Sequence, residues 1–367
     1  MSKKTLILIF VAAIIALTLG LFFLTAWVFN QAMEIDSLIE GKNEPAPTIT
    51  GKLELEPVEI KIIAVGDMML SRVVGQKMMA KGDYNYPFLA MTDYLKSAEL
   101  AVGNLETAIT PGRPIKTGEM AFRADREVAQ TLKDNNFQML SLANNHTPNF
   151  GESGLKDTFQ YLTAAGITFV GAGENLEQAR APKITETGGI KIAWLSRTEQ
   201  LMVPESYAAG EKRMGTAFAE EEEIVGAIKK AREQADLVVV LLHAGTEYTP
   251  QPTKKQIALA HTAIEAGAEI VIGHHPHVVQ TAEKYQGKYI FYSLGNFIFD
   301  QMWSQETREG LVLKLTMTKS GVRSIEATPI LIEDYCQPKI LRGEEGEKVV
   351  KRLGIETEKI GDEYVLK

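Results

Sequence analysis

The sequence predicts an α/β domain, built on a mixed sheet or on two sheets packed together, behind one membrane-crossing helix. Three observations lead there. Short apolar runs alternate with amphipathic stretches from residue 59 to residue 317, the pattern of a largely parallel sheet covered on both faces. Residues 6–29, LILIFVAAIIALTLGLFFLTAWVF, carry no charge. One apolar run after another stops at Asp, Asn, Glu or His, and in open α/β sheets ligands bind outside the carboxyl ends of the strands.

Taken in order, residues 1–5 form a cytoplasmic tip and 6–29 a transmembrane anchor. At about 1.5 Å per residue a helix of that length crosses the ~30 Å hydrocarbon core. Bulky Phe22, Phe23, Leu24, Trp27 and Phe29 fill its far end, where a cleaved signal peptide needs small residues. Lys3 and Lys4 precede the helix while Glu34, Asp36 and Glu40 follow it, so the lysine bias keeps the N-terminus in the cytoplasm and puts the rest outside. Residues 30–57 are polar, contain Pro45, Pro47 and Pro57, and read as a linker.

The main domain is expected over 58–335. Strands are expected at 59–65, 100–103, 139–142, 168–170, 191–196, 237–242, 270–272, 289–292 and 311–317, and helices at 126–135, 154–165, 219–234 and 254–267. Hairpins are expected around Gly188–Gly189 and around Ser320–Gly321. Residues 336–367 read as a charged C-terminal tail with a short helix at 344–353.

Composition narrows the function. The chain has 367 residues, 45% hydrophobic and 23% charged, enough to bury a full core. Its formal charge of −8, with no basic block beyond the N-terminus, argues against nucleic acid. The single cysteine, Cys336, cannot form an intramolecular disulfide and reads as a buried thiol.

The strand ends carry the chemistry. IIAVGD ends in Asp67, LAVGNLE in Asn104 and Glu106, MLSLANNH in Asn144, Asn145 and His146, VVVLLH in His243, IVIGHHPH in His274, His275 and His277, and FYSLGN in Asn296. Gly66, Gly103, Gly273 and Gly295 stand beside these groups and permit close backbone approach. Two carboxylates, a carboxamide oxygen and several imidazoles suit one or two ions of Mn, Fe or Zn, and are too nitrogen-rich for Ca²⁺ or Mg²⁺. Ions so held can lower the pKa of bound water and stabilise the oxygens of a phosphoester displacement. Plainer readings stand beside this one: Asp67 could cap the following helix, Asn144 and Asn145 could be turn residues, and His243 could be a core histidine. His261 reads as a helix residue without chemistry. Arg72, Arg123 and Arg197 each follow a strand; a guanidinium there could seat an anionic substrate or make a surface ion pair.

Six motifs in this order, AVGDMMLSR, AVGNLETAIT, LSLANNHTPNFGESGLKDT, VVVLLHAGTEY, GHHPHVVQ and YSLGNFIFDQ, resemble the bacterial CapA/PgsA capsule-biosynthesis family of poly-γ-glutamate synthesis. That family is in turn similar to calcineurin-like metallophosphoesterases. The resemblance implies a four-layer α/β/β/α sandwich and a two-metal site. Asp67 would bind the first ion, Glu106 would bridge, and Asn145 with His243 would bind the second. His275 and His277 would complete the pair, and His146 would be the general acid. The spacing to His277 favours His275 over His274. Arg72, Arg123, Asn104 and Asn296 would contact substrate.

Met69 stands where phosphoesterases carry a histidine, Asn104-Leu105-Glu106 replaces their aspartate turn, and Asn149 stands where many relatives have an acid. The first-ion site is therefore expected to be one imidazole short. The resemblance implies a membrane-anchored, outward-facing protein that assists synthesis, export or attachment of an anionic polymer, alongside capsule synthase membrane subunits. A cell-surface phosphoester hydrolase and a metal-free scaffold are the alternatives.

Overall fold

A computed structural model describes residues 3–40, 57–116, 119–200 and 203–367. The chain divides into two units, 1–56 and 57–367.

In the first unit, one helix spans Lys3–Glu40. Its stretch Leu8–Glu34 has a mean hydropathy of 2.7, long and apolar enough to cross a membrane. The helix outruns the expected anchor because residues 30–40 contain neither Gly nor Pro; Gly41 is the first breaker. The linker expected at 30–57 is thus helical as far as Glu40, and its residues 41–56 lie outside the described residues.

The second unit holds two principal sheets. The first has ten strands and runs Thr357–Ile360, Glu363–Leu366, Gly321–Glu333, Glu309–Thr318, Ile60–Met68, Leu100–Leu105, Phe137–Ser141, Thr168–Val170, with Asn296–Ile298 against Ile60–Met68 and Gln337–Ile340 against Gly321–Glu333. The second has six and runs Ala282–Tyr285, Lys288–Phe291, Ile270–His274, Leu237–His243, Ile190–Thr198, Lys183–Thr187. Strands joined through helices pair in parallel, as in Ile60–Met68 with Leu100–Leu105 and Leu237–His243 with Ile270–His274. Those joined by tight turns pair antiparallel, including both expected hairpins.

Side-chain alternation makes the layers. Along Ile60–Met68, Ile62 and Ala64 pack between the sheets against Trp194, Val239 and Ile272, while Ile63 and Val65 point the other way. That outer face of the first sheet is covered through Val74, Leu95, Leu132 and Leu155. The outer face of the second is covered by the helices Glu221–Arg232 and Lys254–Ala266 through Ile224, Ile228, Leu259 and Ala263. The result is the α/β/β/α sandwich. Each fully buried Leu, Ile, Val or Phe contributes roughly 1.5–3 kcal/mol. Thr253 and Gln256 close a capping box at the start of Lys254–Ala266, and Gly267 ends it in left-handed geometry.

The segment 336–367 is no tail. Gln337–Ile340, Thr357–Ile360 and Glu363–Leu366 extend the first sheet, and Val349, Val350, Leu353, Tyr364 and Leu366 join the core between the sheets. Their apolar spacing within a charged stretch is what draws them in.

Candidate metal centre

The site begins with a break in the central strand. Asp67 is flanked in register by Asn104 on one side and Asn296 on the other, and the register slips beside it on both. Such slips re-aim a side chain. Here the chain also passes so close to its neighbour that a Cβ on Gly66 would overlap the carbonyl oxygen of Gly295. In the second sheet His243 and His274 are paired in register at the ends of adjacent strands, and a Cβ on Gly273 would overlap the carbonyl of Tyr292. Glycine is required at both.

Asp67 is fully buried. Its Oδ1 accepts from Asn104 Nδ2 at 2.8 Å and its Oδ2 from the His275 backbone N–H at 3.0 Å, with His277 Nδ1 3.4 Å from that oxygen. Asn104 Nδ2 also faces Glu106 Oε2 at 3.3 Å and His243 Nδ1 at 3.2 Å. His243 Nε2 meets Asn145 Oδ1 at 2.9 Å. His277 Nδ1 meets Asn296 Oδ1 at 3.0 Å, and its Nε2 stands 3.9 Å from Glu106 Oε1. His146 Nε2 approaches the same oxygen at 4.0 Å; its Nδ1 is held by Asn149 Oδ1 at 2.9 Å and its ring stacks on Phe122 at 3.9 Å.

Donor atoms of Asp67, Glu106 and His243 lie within 4.8 Å of one another, as do those of Glu247, His275 and His277. Glu106 Oε1 and His275 Nδ1 are buried without a hydrogen-bond partner, a state that costs about 1–3 kcal/mol per group unless something else meets it. His275 and His277 also hold left-handed backbone, with φ of 98° and 57°, a strain typical of ligand clamps.

Electrostatics point the same way. Burial pushes the Glu106 carboxyl well above the usual range, and the charges of Asp67 and Glu247 add to the push. Burial also opposes the charge of His277, yet Glu106, Asp67 and Glu247 raise its pKa to about 9. The site thus draws in positive charge. The other rings are held neutral by burial: His146 falls to about 4, His275 to about 3, and His243 well below its usual value, helped by His275. Neutral imidazoles and a carboxylate short of partners are what a borderline divalent cation takes as ligands. The donor set fits such an ion.

The structure therefore brings Asp67, Glu106, Asn145, His146, His243, His275 and His277 together. His274 faces away, its Nε2 on the Val65 carbonyl oxygen at 3.2 Å. Asn144 is the turn residue of its pair, its Oδ1 accepting from the backbone N–H groups of His146 and Thr147. Asn104 and Asn296, expected to contact substrate, are buried and bonded to their neighbours: Asn104 Nδ2 donates to Asp67 Oδ1, Asn296 Oδ1 meets His277 Nδ1, and Asn296 Nδ2 donates to Gln301 Oε1 and the Thr307 carbonyl. Short carboxamides deep in a strand end reach only their neighbours. Arg72 caps the site edge, pairing with Asp300 and lying 4.8 Å over the Phe122 ring. Arg123 Nη1 donates to the Pro111 carbonyl at 2.6 Å. Arg197 is buried in a two-pronged pair with Glu223 and takes no part. Met69 turns into the outer core, its sulfur accepting from Ser71 N–H at 3.2 Å. Glu247 was not anticipated. It stands on the loop after His243, and the HAGTEY motif was its one signal.

An α/β/β/α sandwich thus gathers carboxylate, carboxamide and imidazole donors over its strand ends. The chain belongs to the bacterial capsule synthesis protein family PGA_cap, whose model matches residues 61–301. It is 35% identical over 297 residues to the PGA biosynthesis protein CapA of Bacillus subtilis, covering 78% of this chain and 76% of that protein. Against the capsule biosynthesis protein CapA of Bacillus anthracis it is 30% identical over 312 residues, covering 83% and 75%. Among solved structures, the calcineurin-like phosphoesterase YfkN of Bacillus subtilis aligns with a TM-score of 0.47 at 13% identity, covering 81% of this chain and 97% of that one.

Proposed function

We propose that this chain is a membrane-anchored accessory protein of capsule-polymer synthesis, export or attachment, acting on an anionic polymer of the poly-γ-glutamate type through a metal site outside the cell. The observation that carries the reading is the pair of donor groups, Asp67 with Glu106 and His243, and Glu247 with His275 and His277, in a chain of a capsule synthesis family. Lys3 and Lys4 before the anchor, with Glu34, Asp36 and Glu40 after it, support an outward-facing domain. Capsule synthase membrane subunits are the partners this position implies.

Asp67, Glu106, Asn145, Glu247, His243, His275 and His277 would hold one or two ions of Mn, Fe or Zn. Such an ion, when bound, supplies Lewis acidity and a more acidic water. Glu247 adds a carboxylate beside His275 and His277. Asn104 and Asn296 orient their neighbours, and the Nδ1–H of His277 on Asn296 leaves Nε2 directed toward Glu106, the arrangement that orients a ligating ring. Asn149 and Phe122 fix His146 with Nε2 toward the same carboxylate. This favours a second reading, a metal-dependent phosphoester hydrolase or transferase. A ring held neutral takes up a proton before it can give one to a leaving oxygen.

Metal analysis of the fragment beginning at Pro57 tests the site: stoichiometric Mn, Fe or Zn is expected, lost in Asp67→Ala and His275→Ala proteins. A metal-free fragment after incubation with all three ions would leave only the scaffold reading. Deletion of the gene should strip the surface polymer; an intact coat removes the capsule reading. Mn²⁺-dependent turnover of a generic phosphodiester, abolished by His146→Ala, separates the hydrolase from the accessory protein.

A further inference from the structure

A run of rings and guanidinium crosses the metal centre and leaves it on both sides. On one side Trp303, 62% exposed, meets Tyr248 edge-on at 5.7 Å between centroids, and Tyr248 lies 6.0 Å from the ring of His277. On the other, His277 is 4.7 Å from Phe299, and the Arg72 guanidinium carbon stands 5.9 Å from the Phe299 centroid. Arg72 then forms one wall of a cavity of about 530 Å³, shared with Arg123 and Lys116 and with two acids, Glu119 and Asp125, that are engaged by Arg113 and Tyr84.

Neither Tyr248 nor Arg72 arrives there without cost. Both hold left-handed backbone, with φ of 59° and 48°, and strain of this kind persists only where the surroundings over-determine it. Tyr248 is fixed by its N–H on the Pro276 carbonyl at 2.8 Å and by Gln301 Nε2 donating to its hydroxyl at 3.2 Å. Arg72 is fixed by both oxygens of Asp300, which leaves its Nη1 without a partner among the described residues. Nε and Nη2 of Arg123 are likewise free among the described residues. Trp303 meets no ring but Tyr248 there.

Aromatic faces pack on flat, uncharged groups such as amides, and guanidinium forks take carboxylates. A shelf of the first kind on one side of the metal donors and free forks of the second kind on the other match a chain in which amide planes and carboxylates recur. We propose that the centre engages such a chain in mid-length: an extended polymer of amide-linked acidic units lies on Tyr248 and Trp303, crosses the metal donors, and enters the cavity with its carboxylates against Arg72 and Arg123. The inference rests on the poly-γ-glutamate reading and adds how the polymer is held.

The test is calorimetric binding of γ-linked glutamate oligomers to the full chain in detergent micelles with Mn²⁺. A decamer should bind at least about tenfold more tightly than a dimer, because only the decamer reaches both sides. Trp303→Ala and Arg123→Ala should each weaken the decamer by about five- to tenfold, and Trp303→Phe should restore binding. Trp303 is exposed, so its loss does not threaten the fold. Equal affinity for dimer and decamer, or decamer binding indifferent to both substitutions, overturns the mid-chain grip while metal retention and the capsule phenotype still support the proposed function. A wild-type protein that binds polyphosphate but neither oligomer overturns the grip and the polymer reading together.

Discussion

Asn144 and Asn145 are adjacent, identical in chemistry, and opposite in use. Asn144 Oδ1 accepts from His146 N–H at 3.0 Å, Thr147 N–H at 2.7 Å and Thr147 Oγ1 at 2.9 Å, all buried, whereas Asn145 Oδ1 meets His243 Nε2. Asn144→Ala leaves buried donors unmet, so thermal melting should show a loss of about 2–4 kcal/mol. Asn145→Ala should melt within about 1 kcal/mol of wild type and lose metal instead; a large loss of stability there would reassign Asn145 to the turn. The buried imidazoles make a pH prediction for the metal-free domain. His146 and His275 are depressed from 6.5 to about 4 and about 3 by burial. A depressed group contributes stability above its unfolded pKa that is lost as pH falls through its folded one, so these two rings should contribute a drop in stability between pH 6.5 and pH 4 of on the order of a few kcal/mol, against which the raised Glu106 acid acts in the opposite sense. Denaturant titrations across that window should show a shallower slope in His275→Gln; an unchanged slope would mean the ring is not buried neutral. Cys336 needs no chemistry at all: burial, with Asp334 beside it, pushes its thiol up to about 12, so it should resist alkylation in the native protein at pH 8 and react only on unfolding.

Strand ends carry this site, and they explain what could be read in the sequence. Each expected strand from 59–65 to 311–317 is present, because buried strands of a covered sheet are continuous apolar runs and few other structures produce that pattern. Asp67, Glu106, His243 and His277 were legible for the same reason: a polar group ending an apolar run has one place to go. Glu247 was not, since it sits on a loop whose path back over His275 follows from tertiary contacts, including the Tyr248 N–H on the Pro276 carbonyl. The helix Arg72–Lys81 escaped because Gly75 and Gln76 interrupt its apolar face. The strands Thr357–Ile360 and Glu363–Leu366 escaped because each is only four residues long and the first carries Glu358 and Lys359 side by side. These last strands have a measurable consequence. A chain ending at residue 335 would lose Val349, Val350, Leu353, Tyr364 and Leu366 from the core between the sheets, at roughly 1.5–3 kcal/mol per side chain, a sum comparable to the whole net stability of an ordinary domain. The truncated protein should be insoluble or unfolded by circular dichroism; a folded product would show that 336–367 is an appendage after all.

At the scale of the whole molecule, the sandwich gathers three carboxyl groups around a single charged imidazole, His277. Asp67 and Glu106 are fully buried, Glu247 adds a third carboxylate at the site, and the basic group facing Glu106 from outside the imidazoles is Arg72, already paired with Asp300. A folded state arranged in this way gains stability from any cation it binds and the unfolded chain does not, by RT ln(1 + [L]/Kd), or about 2.7 kcal/mol at a hundredfold excess over Kd. Chelation of the fragment beginning at Pro57 should therefore lower its melting temperature by several degrees, and re-addition of Mn²⁺ or Zn²⁺ should restore it. Glu106→Gln separates this effect from general fragility. Without metal it removes a buried acid whose ionisation is resisted by burial and by Asp67, so the chelated variant should melt no lower than chelated wild type, while its rise on adding metal should shrink. A variant less stable than wild type in both states would assign Glu106 to ordinary packing, and the case for a cation at this edge would then rest on Asp67 and the histidines alone.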